Sequence, residues 1–406
     1  MSEMVPEGWK YQRLGMCSQI LDSKRIPLNA QERAKRKGVY PYYGANGIQD
    51  YIDDFIFDGE YILLAEDGGY FSEYASRPIA QYVKDRFWVN NHAHILKSTA
   101  GNSNKWIYYS LVHKNILKYI NGGTRSKLNQ SDLRDIGILL PPLPEQEKIA
   151  TILTSVDEVI EKTESQISKL QDLKKGMMQE LLTKGIGHTE FKDSPVGRIP
   201  RSWEVAKVSE VVISINSGWS PKCEEIPSRP DEWGVLKTTA VDWNGFDPQY
   251  NKRIPTTAQG RPDIAVKAGD ILLTRAGPID RVGVVSYVSK SPSKLMLSDK
   301  IIRLNTEINR CDPHFLSLHL SNDSVQTYLF RVVSGMAESQ VNISQEIIKN
   351  APMIIPSLPE QKKITNILTS IDSKIEVKRQ KLQQTQNLKK SLMQDLLTGK
   401  VRVSVN

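Results

Sequence analysis

The chain has 406 residues, 39% of them hydrophobic and 25% charged, with a net charge of +8. That length exceeds one hydrophobic core, the composition excludes a disordered chain, and no apolar run approaches the roughly 18 residues a membrane span needs. Three widely spaced cysteines, Cys17, Cys223 and Cys311, exclude a disulfide framework and a paired-cysteine metal knuckle, which places the chain in a reducing cytoplasm.

From the N-terminus, VPEGWKYQRLG at 5–15 opens a stretch of short apolar runs bounded by Gly, Asp and Pro. Tyr61–Ala65 is the clearest predicted strand of this half, and Lys105–Tyr119 reads as a helix. NNHAHIL at 90–96 would set His92 and His94 on one face of a strand. Two such ligands make a poor metal site, and the sequence suggests no third.

At Leu143 the pattern changes. Apolar residues fall at Ile149, Ile152, Val156, Val159 and Ile160, Ile167, Leu170, Leu173, Met177 and Leu181. Steps of three and four sustained over about five heptads predict a coiled-coil helix. Pro144, Glu145 and Glu147 suit its start, and Gly185 and Gly187 its end.

A second strand-rich half follows, with predicted strands at Ile271–Thr274 and Val282–Val288 and a helix over Pro313–Val332. Then the long helix returns. Residues 143–183 and 358–398 are identical at 22 of 41 positions without a gap. The second apolar stripe runs Ile364, Ile367, Ile371, Ile375, Leu382, Leu388, Leu392 and Leu396, and Gly399 closes it. Each helix is expected to span about 38 residues, or about 57 Å. Net charge is +3 over 1–142, −2 over 143–184, +1 over 185–357 and +6 over 358–406. The two helices therefore complement each other, and antiparallel pairing is the simplest arrangement.

Fainter echoes extend the repeat. Trp9 matches Trp203, and FDGEYILLAEDGG at 57–69 matches VKAGDILLTRAGP at 266–278. Between such anchors the halves diverge: YPYYGANGIQDYIDDF at 40–55 has no convincing match to LKTTAVDWNGFDPQYN at 236–251. The expected fold is α+β. Two strand-rich α/β domains, 1–142 and 185–357, alternate with spacer helices at 143–184 and 358–402 in a pseudo-twofold arrangement.

Motifs for chemistry are missing. DPQY at 247–250 has Gln249 where a base-holding methyltransferase loop needs proline. No phosphate-binding GxxxxGK[ST] occurs, since Val401 follows Gly399-Lys400. Asp263 and Asp270 lack the E-x-K of a metal-dependent nuclease. The chain is expected to be non-catalytic and to bind no cofactor or metal of its own.

The twice-repeated P-x-L-P-E-Q-x-K-I, each copy leading into a long helix that ends L-K-K-x-x-M-Q-x-L-L-T, resembles the specificity subunits of type I restriction–modification systems. YGANGI at 43–48, NNHAHIL and GDILLTRAG at 269–277 resemble segments of their target recognition domains. The resemblance covers nearly the whole chain. It implies a prokaryotic protein with two recognition domains, each reading half of a split double-stranded DNA sequence, held apart by an antiparallel helical spacer. It also implies two adenine methyltransferase and two restriction subunits as partners, which would carry S-adenosylmethionine, ATP and Mg. A coiled-coil adaptor that binds proteins instead of DNA is the alternative.

Base reading needs Arg, Lys, Asn, Gln or Thr on loops stiffened by a scaffold. The candidates are Tyr42, Tyr43, Asn46, Thr124, Arg125 and Lys127 in the first domain. Trp219, Lys222, Lys237, Thr238, Thr239 and Arg275 are those of the second.

Overall fold

The computed structural model describes residues 5–122, 126–333 and 341–405. The chain divides into two compact units, residues 1–165 with 379–406 and residues 166–378. Each unit joins one strand-rich domain to half of each long helix.

In the first unit, β1 (Lys10–Arg13) is followed by β2 (Ser18–Ile20), β3 (Lys37–Gly44) and β4 (Gly47–Ile52). Then come β5 (Phe57–Asp58), β6 (Tyr61–Ala65), β7 (Ala80–Val83), β8 (Arg86–Val89), β9 (Ala93–Ser98) and β10 (Gly137–Leu140). One sheet has the order β2-β9-β6-β7 and the other β4-β3-β8-β5. β1 pairs antiparallel with β10, so the start of the domain lies beside the strand that feeds the first long helix. The apolar run of β6 is buried on both sides, which is why it lacks polar alternation.

The second unit repeats the plan. Its strands are β11 (Glu204–Lys207), β12 (Val212–Ser217), β13 (Gly234–Leu236), β14 (Asn251–Arg253) and β15 (Ile271–Thr274). They continue as β16 (Val285–Tyr287), β17 (Leu295–Met296), β18 (Ile301–Thr306) and β19 (Pro352–Ile355). The main sheet, β12-β18-β15-β16, matches β2-β9-β6-β7 strand for strand, and β11 pairs with β19 as β1 does with β10. A three-stranded sheet, β14-β13-β17, is the counterpart of the divergent segment of the first domain.

The long helices run over Leu143–Lys184 and Leu358–Leu396, each beginning at the leucine before its proline. In the first unit Ile149, Ala150 and Leu153 share a core with Leu396, Leu392 and Met393, and Lys389 Nζ lies 2.6 Å from Asp157. In the second unit Leu181 and Leu182 share a core with Ile364, Leu368, Ile371 and Ile375, and Lys174 Nζ lies 2.6 Å from Asp372. Early residues of one helix meet late residues of the other, so the segments are antiparallel within each unit. The two ion pairs are one pair written twice, because Lys174 and Lys389, like Asp157 and Asp372, are repeat equivalents.

The expected seam needs correcting at its edges. Leu388 is exposed, and so is its repeat equivalent Leu173, whereas Leu153 and Leu368, absent from the predicted stripe, are fully buried. A 3.6-residue helix drifts against a strict heptad, so the buried line leaves the predicted one after a few turns. Thr163 is also buried, its hydroxyl satisfied by donating to Val159 O at 2.7 Å. The shorter predicted helices also end early. Asn104–Leu111 is followed by a separate short turn over Leu117–Tyr119, where Asn115 Oδ1 accepts from Leu117 N–H, and Pro313–Leu320 is separated from Asp323–Val333 by Ser321 and Asn322, the Asn322 Oδ1 accepting from Ser324 N–H. Side-chain caps of this kind compete with the helix.

The repeated P-E-Q is the joint between domain and helix. Glu145 accepts from Trp9 Nε1 at 3.1 Å and pairs twice with Arg402, at 2.7 and 2.8 Å. Glu360 accepts from Trp203 Nε1 at 3.1 Å, from Ile186 N–H at 3.0 Å and from His188 Nε2 at 2.8 Å. Gln146 accepts from Ser103 N–H at 3.0 Å, and Gln361 from Asp312 N–H at 2.8 Å. Each acid thus ties the tryptophan that opens its domain to the tail of the opposite helix. Gly185 and Gly399, both with positive φ, close those helices, and a Cβ at Gly185 would come within 2.6 Å of the Trp203 ring. Among the described residues no helix is long and apolar enough to cross a membrane.

Candidate nucleic-acid interface

The strand ends that carry the loops lie at one end of each main sheet. In the first unit this end collects the residues after β2, after β6 and before β9. A buried ionic network holds it. His94 Nδ1 is 2.6 Å from Asp22 Oδ2, and His94 Nε2 faces Leu128 O at 2.8 Å. Arg25 reaches Glu66 at 2.6 Å, and Lys127 Nζ is 3.2 Å from the other Glu66 oxygen. Gln130 donates to Asp22 at 3.0 Å. Burial works against the Asp22 charge, but His94, Gln130 and the Ile95 amide outweigh it and hold the carboxyl below its usual range.

Asp22, Glu66 and His94 bring ligand atoms within 4.8 Å of one another, a spacing a cation could use. The donor set does not fit one. Arg25 and Lys127 already neutralise Glu66, and both His94 ring nitrogens face protein acceptors. The network instead clamps the 126–130 segment to the sheet, since Leu128 N–H also donates to Glu66 O at 2.7 Å. His92 and His94 do not act as a pair: His94 is buried, whereas His92 stands at the surface 2.7 Å from Asp67.

Of the candidates in this unit, Tyr42 is a correction. Its ring is fully buried and its hydroxyl exchanges hydrogen bonds with Leu28 N–H at 2.9 Å and Leu28 O at 3.2 Å. It is a core residue. Tyr43 is half-buried, edge-on to Phe87 with ring centroids 5.8 Å apart. Asn46 is exposed in the two-residue turn between β3 and β4 and donates to Gly68 O at 2.9 Å, which pins that hairpin to the turn after β6. Lys127 belongs to the network. Thr124 and Arg125 lie outside the described residues.

In the second unit Trp219 is held by its N–H donating to Leu297 O at 3.0 Å, with Arg261 over its ring at 5.9 Å. Lys222 is exposed. Lys237 N–H donates to Tyr250 O at 2.9 Å, and its ammonium is 3.9 Å from Glu225. Thr238 gives its carbonyl to Arg281, while Thr239 is exposed on the same short turn. Arg275 directly follows β15. Trp219 and Arg275 therefore share one sheet end. Lys237, Thr238 and Thr239 follow β13, in the three-stranded sheet.

Sequence reasoning missed Asp22, Arg25 and Glu66, which are ordinary acids and bases scattered along the chain. It also missed the role of Glu145 and Glu360. The signal for that pair was present, since Trp9 and Trp203 recur with the same helix start.

Comparison with known proteins agrees with this architecture. Residues 6–171 and 200–387 match the family described as the type I restriction modification DNA specificity domain. The chain belongs to that family. It is 30% identical over 423 residues to the MjaVIII specificity subunit of Methanocaldococcus jannaschii, covering 98% of this chain and 94% of that one. It is 38% identical over 255 residues to the EcoEI specificity subunit of Escherichia coli, covering 62% of this chain but only 41% of that one. The fold matches the crystal structure of a type I restriction–modification S subunit from M. genitalium with a TM-score of 0.67 at 15% identity, over 98% of this chain and 97% of that one.

Proposed function

We propose that the chain is the DNA-reading subunit of a type I restriction–modification complex. Each strand-rich domain recognises one half of a split, non-palindromic double-stranded sequence, and the paired helices set the gap. The observation that carries this reading is the contrast inside the repeat. The Trp–Glu joint, the helix ion pair and the main sheet recur in both units, while the sheet ends diverge in charge and in side-chain identity. A constant frame with two different heads suits a reader of two different half-sites.

The helices also offer a duplicated docking face. Leu173 and Leu388 occupy the same repeat position and are 50% and 52% exposed. One kind of partner bound twice would use such a pair, which fits two adenine methyltransferase subunits, with two restriction subunits recruited to the assembled complex. S-adenosylmethionine, ATP and Mg then belong to those partners, and the chain contributes recognition without catalysis.

The test is selection from a random duplex library by the chain purified together with its methyltransferase subunits. Enrichment of two unlike short sequences at a fixed separation supports the reading. Stable assembly without any sequence enrichment favours the protein-binding adaptor.

A further inference from the structure

β15 ends at the fully buried Thr274 and hands the chain to Arg275. The backbone there is fixed on both sides. Arg275 N–H donates to Lys300 O at 2.9 Å, and Ile343 N–H donates to Arg275 O at 2.8 Å. The first unit repeats this frame at Glu66, whose N–H donates to His92 O at 2.8 Å and whose carbonyl accepts from Leu128 N–H at 2.7 Å. The place is the same and the charge is opposite.

Glu66 is consumed inside its own unit by Arg25 and Lys127. Among the described residues, no ion pair engages Arg275. Four described arginines have a buried Nε without a hydrogen bond: Arg33, Arg275, Arg281 and Arg303. Three of them use their terminal nitrogens internally, Arg33 on Leu28 O at 2.7 Å, Arg281 on Asp242 at 2.8 Å and Arg303 on Asp270 at 3.2 Å. Among the described residues, Arg275 alone of the four has no acceptor at its terminal nitrogens either. Its stem is sealed in protein and its head is unpaired. The terminal nitrogens are not buried, so a permanently charged donor fork faces outward, available to an acceptor from outside the chain.

The surroundings suit a ligand with phosphates and base edges. Lys300, joined to Arg275 through the backbone, is exposed, and its ammonium has no partner among the described residues. Asp299, the adjacent acid, is engaged by the Ser220 hydroxyl and accepts nothing from Arg275. Trp219 is pinned at the same sheet end.

We infer that Arg275 reads a base edge in the half-site of the second unit, its terminal nitrogens donating to guanine O6 and N7, with Lys300 on a neighbouring phosphate. This rests on the DNA-recognition reading above. A base contact is favoured over a phosphate contact because a paired donor fork must arrive in a set direction, and a stem sealed against the sheet supplies one. Phosphate contacts carry register, not sequence, and need no such constraint.

The experiment compares the methylated motif and salt-dependent DNA binding of complexes carrying wild-type chain, Arg275→Ala, Arg275→Gln, Arg275→Lys and Lys300→Ala. With Arg275→Ala or Arg275→Gln, one guanine position in one half-site should relax, discrimination there falling roughly 5- to 150-fold, while the other half and the gap stay unchanged. Arg275→Lys should restore binding strength more than discrimination. Lys300→Ala should weaken binding at all sites and lower the salt slope by about one. An unchanged motif in the Gln variant, which keeps most of the stem, overturns the inference. So does uniform weakening with an unchanged motif, which would make Arg275 a phosphate grip. If wild-type complex shows no split motif, the recognition reading itself has failed, separately from the role of Arg275.

Discussion

Glu360→Ala should loosen the second domain from its helix without unfolding either. The carboxylate accepts three hydrogen bonds, from Trp203 Nε1, Ile186 N–H and His188 Nε2. Ile186 and His188 are exposed enough for water to replace the lost acceptor. Trp203 is 1% exposed, so its indole N–H would be left buried and unpaired. Such a donor costs about 1–3 kcal/mol, and the lost charge-assisted contacts add to it, giving about 2–4 kcal/mol in all. Global denaturation is a poor readout for a chain of two units, because the transition need not be two-state. Hydrogen exchange resolves the joint itself. Amides over 186–207 should exchange roughly 30- to 1,000-fold faster, while those of the first-unit joint, around Trp9 and Glu145, keep their protection. Glu360→Gln, which retains an acceptor oxygen, should show a smaller change. Exchange over 186–207 within threefold of wild type in Glu360→Ala would refute the view that this acid holds domain to helix.

Other outcomes follow from the same geometry. Deleting one heptad from each long helix at paired positions should shorten the gap in the recognised sequence by about 3 base pairs and leave both half-sites unaltered, since seven residues rise about 10.5 Å; methylation mapping reads both. Leu173→Glu with Leu388→Glu should abolish co-purification with methyltransferase subunits while leaving hydrogen-exchange protection in both units within threefold of wild type, because both side chains are half exposed. His319 is buried with Nε2 on Pro352 O, and burial pushes its pKa down to about 4. The unfolded chain therefore takes up this proton first, so the second unit should lose about 3 kcal/mol as pH falls from 6.5 toward 4; hydrogen-exchange protection of second-unit core amides across that range, corrected for intrinsic exchange rates, checks it, and His319→Gln should remove that slope.

Much of the frame was legible in the sequence because repetition and periodicity are one-dimensional signals. The two long helices, the strands Tyr61–Ala65 and Ile271–Thr274, and the kinship of Trp9 with Trp203 could all be read directly. Features that depend on three-dimensional convergence could not. Arg25, Glu66, His94 and Lys127 are spread over a hundred residues, and only the sheet order β2-β9-β6-β7 brings their ends together. Tyr42 sits in a segment whose aromatic, glycine-flanked look suggests an exposed loop, yet it belongs to a strand that turns its ring inward. The apolar run Val282–Val288 predicts one strand, but Gly283 has a positive φ and the strand shortens to Val285–Tyr287. Sequence did single out Arg275, and the matched strand sets Glu66 opposite it, but nothing in the sequence showed that Arg25 and Lys127 neutralise that carboxylate.

This chain alone should decide which DNA is modified. Single-molecule mapping of adenine methylation in the host genome, with the gene intact, deleted and restored, tests it most directly. The account predicts a split, asymmetric motif of two unlike halves at one fixed spacing, lost on deletion and regained on restoration. An unchanged methylome after deletion, with the methyltransferase subunits still expressed, would contradict it.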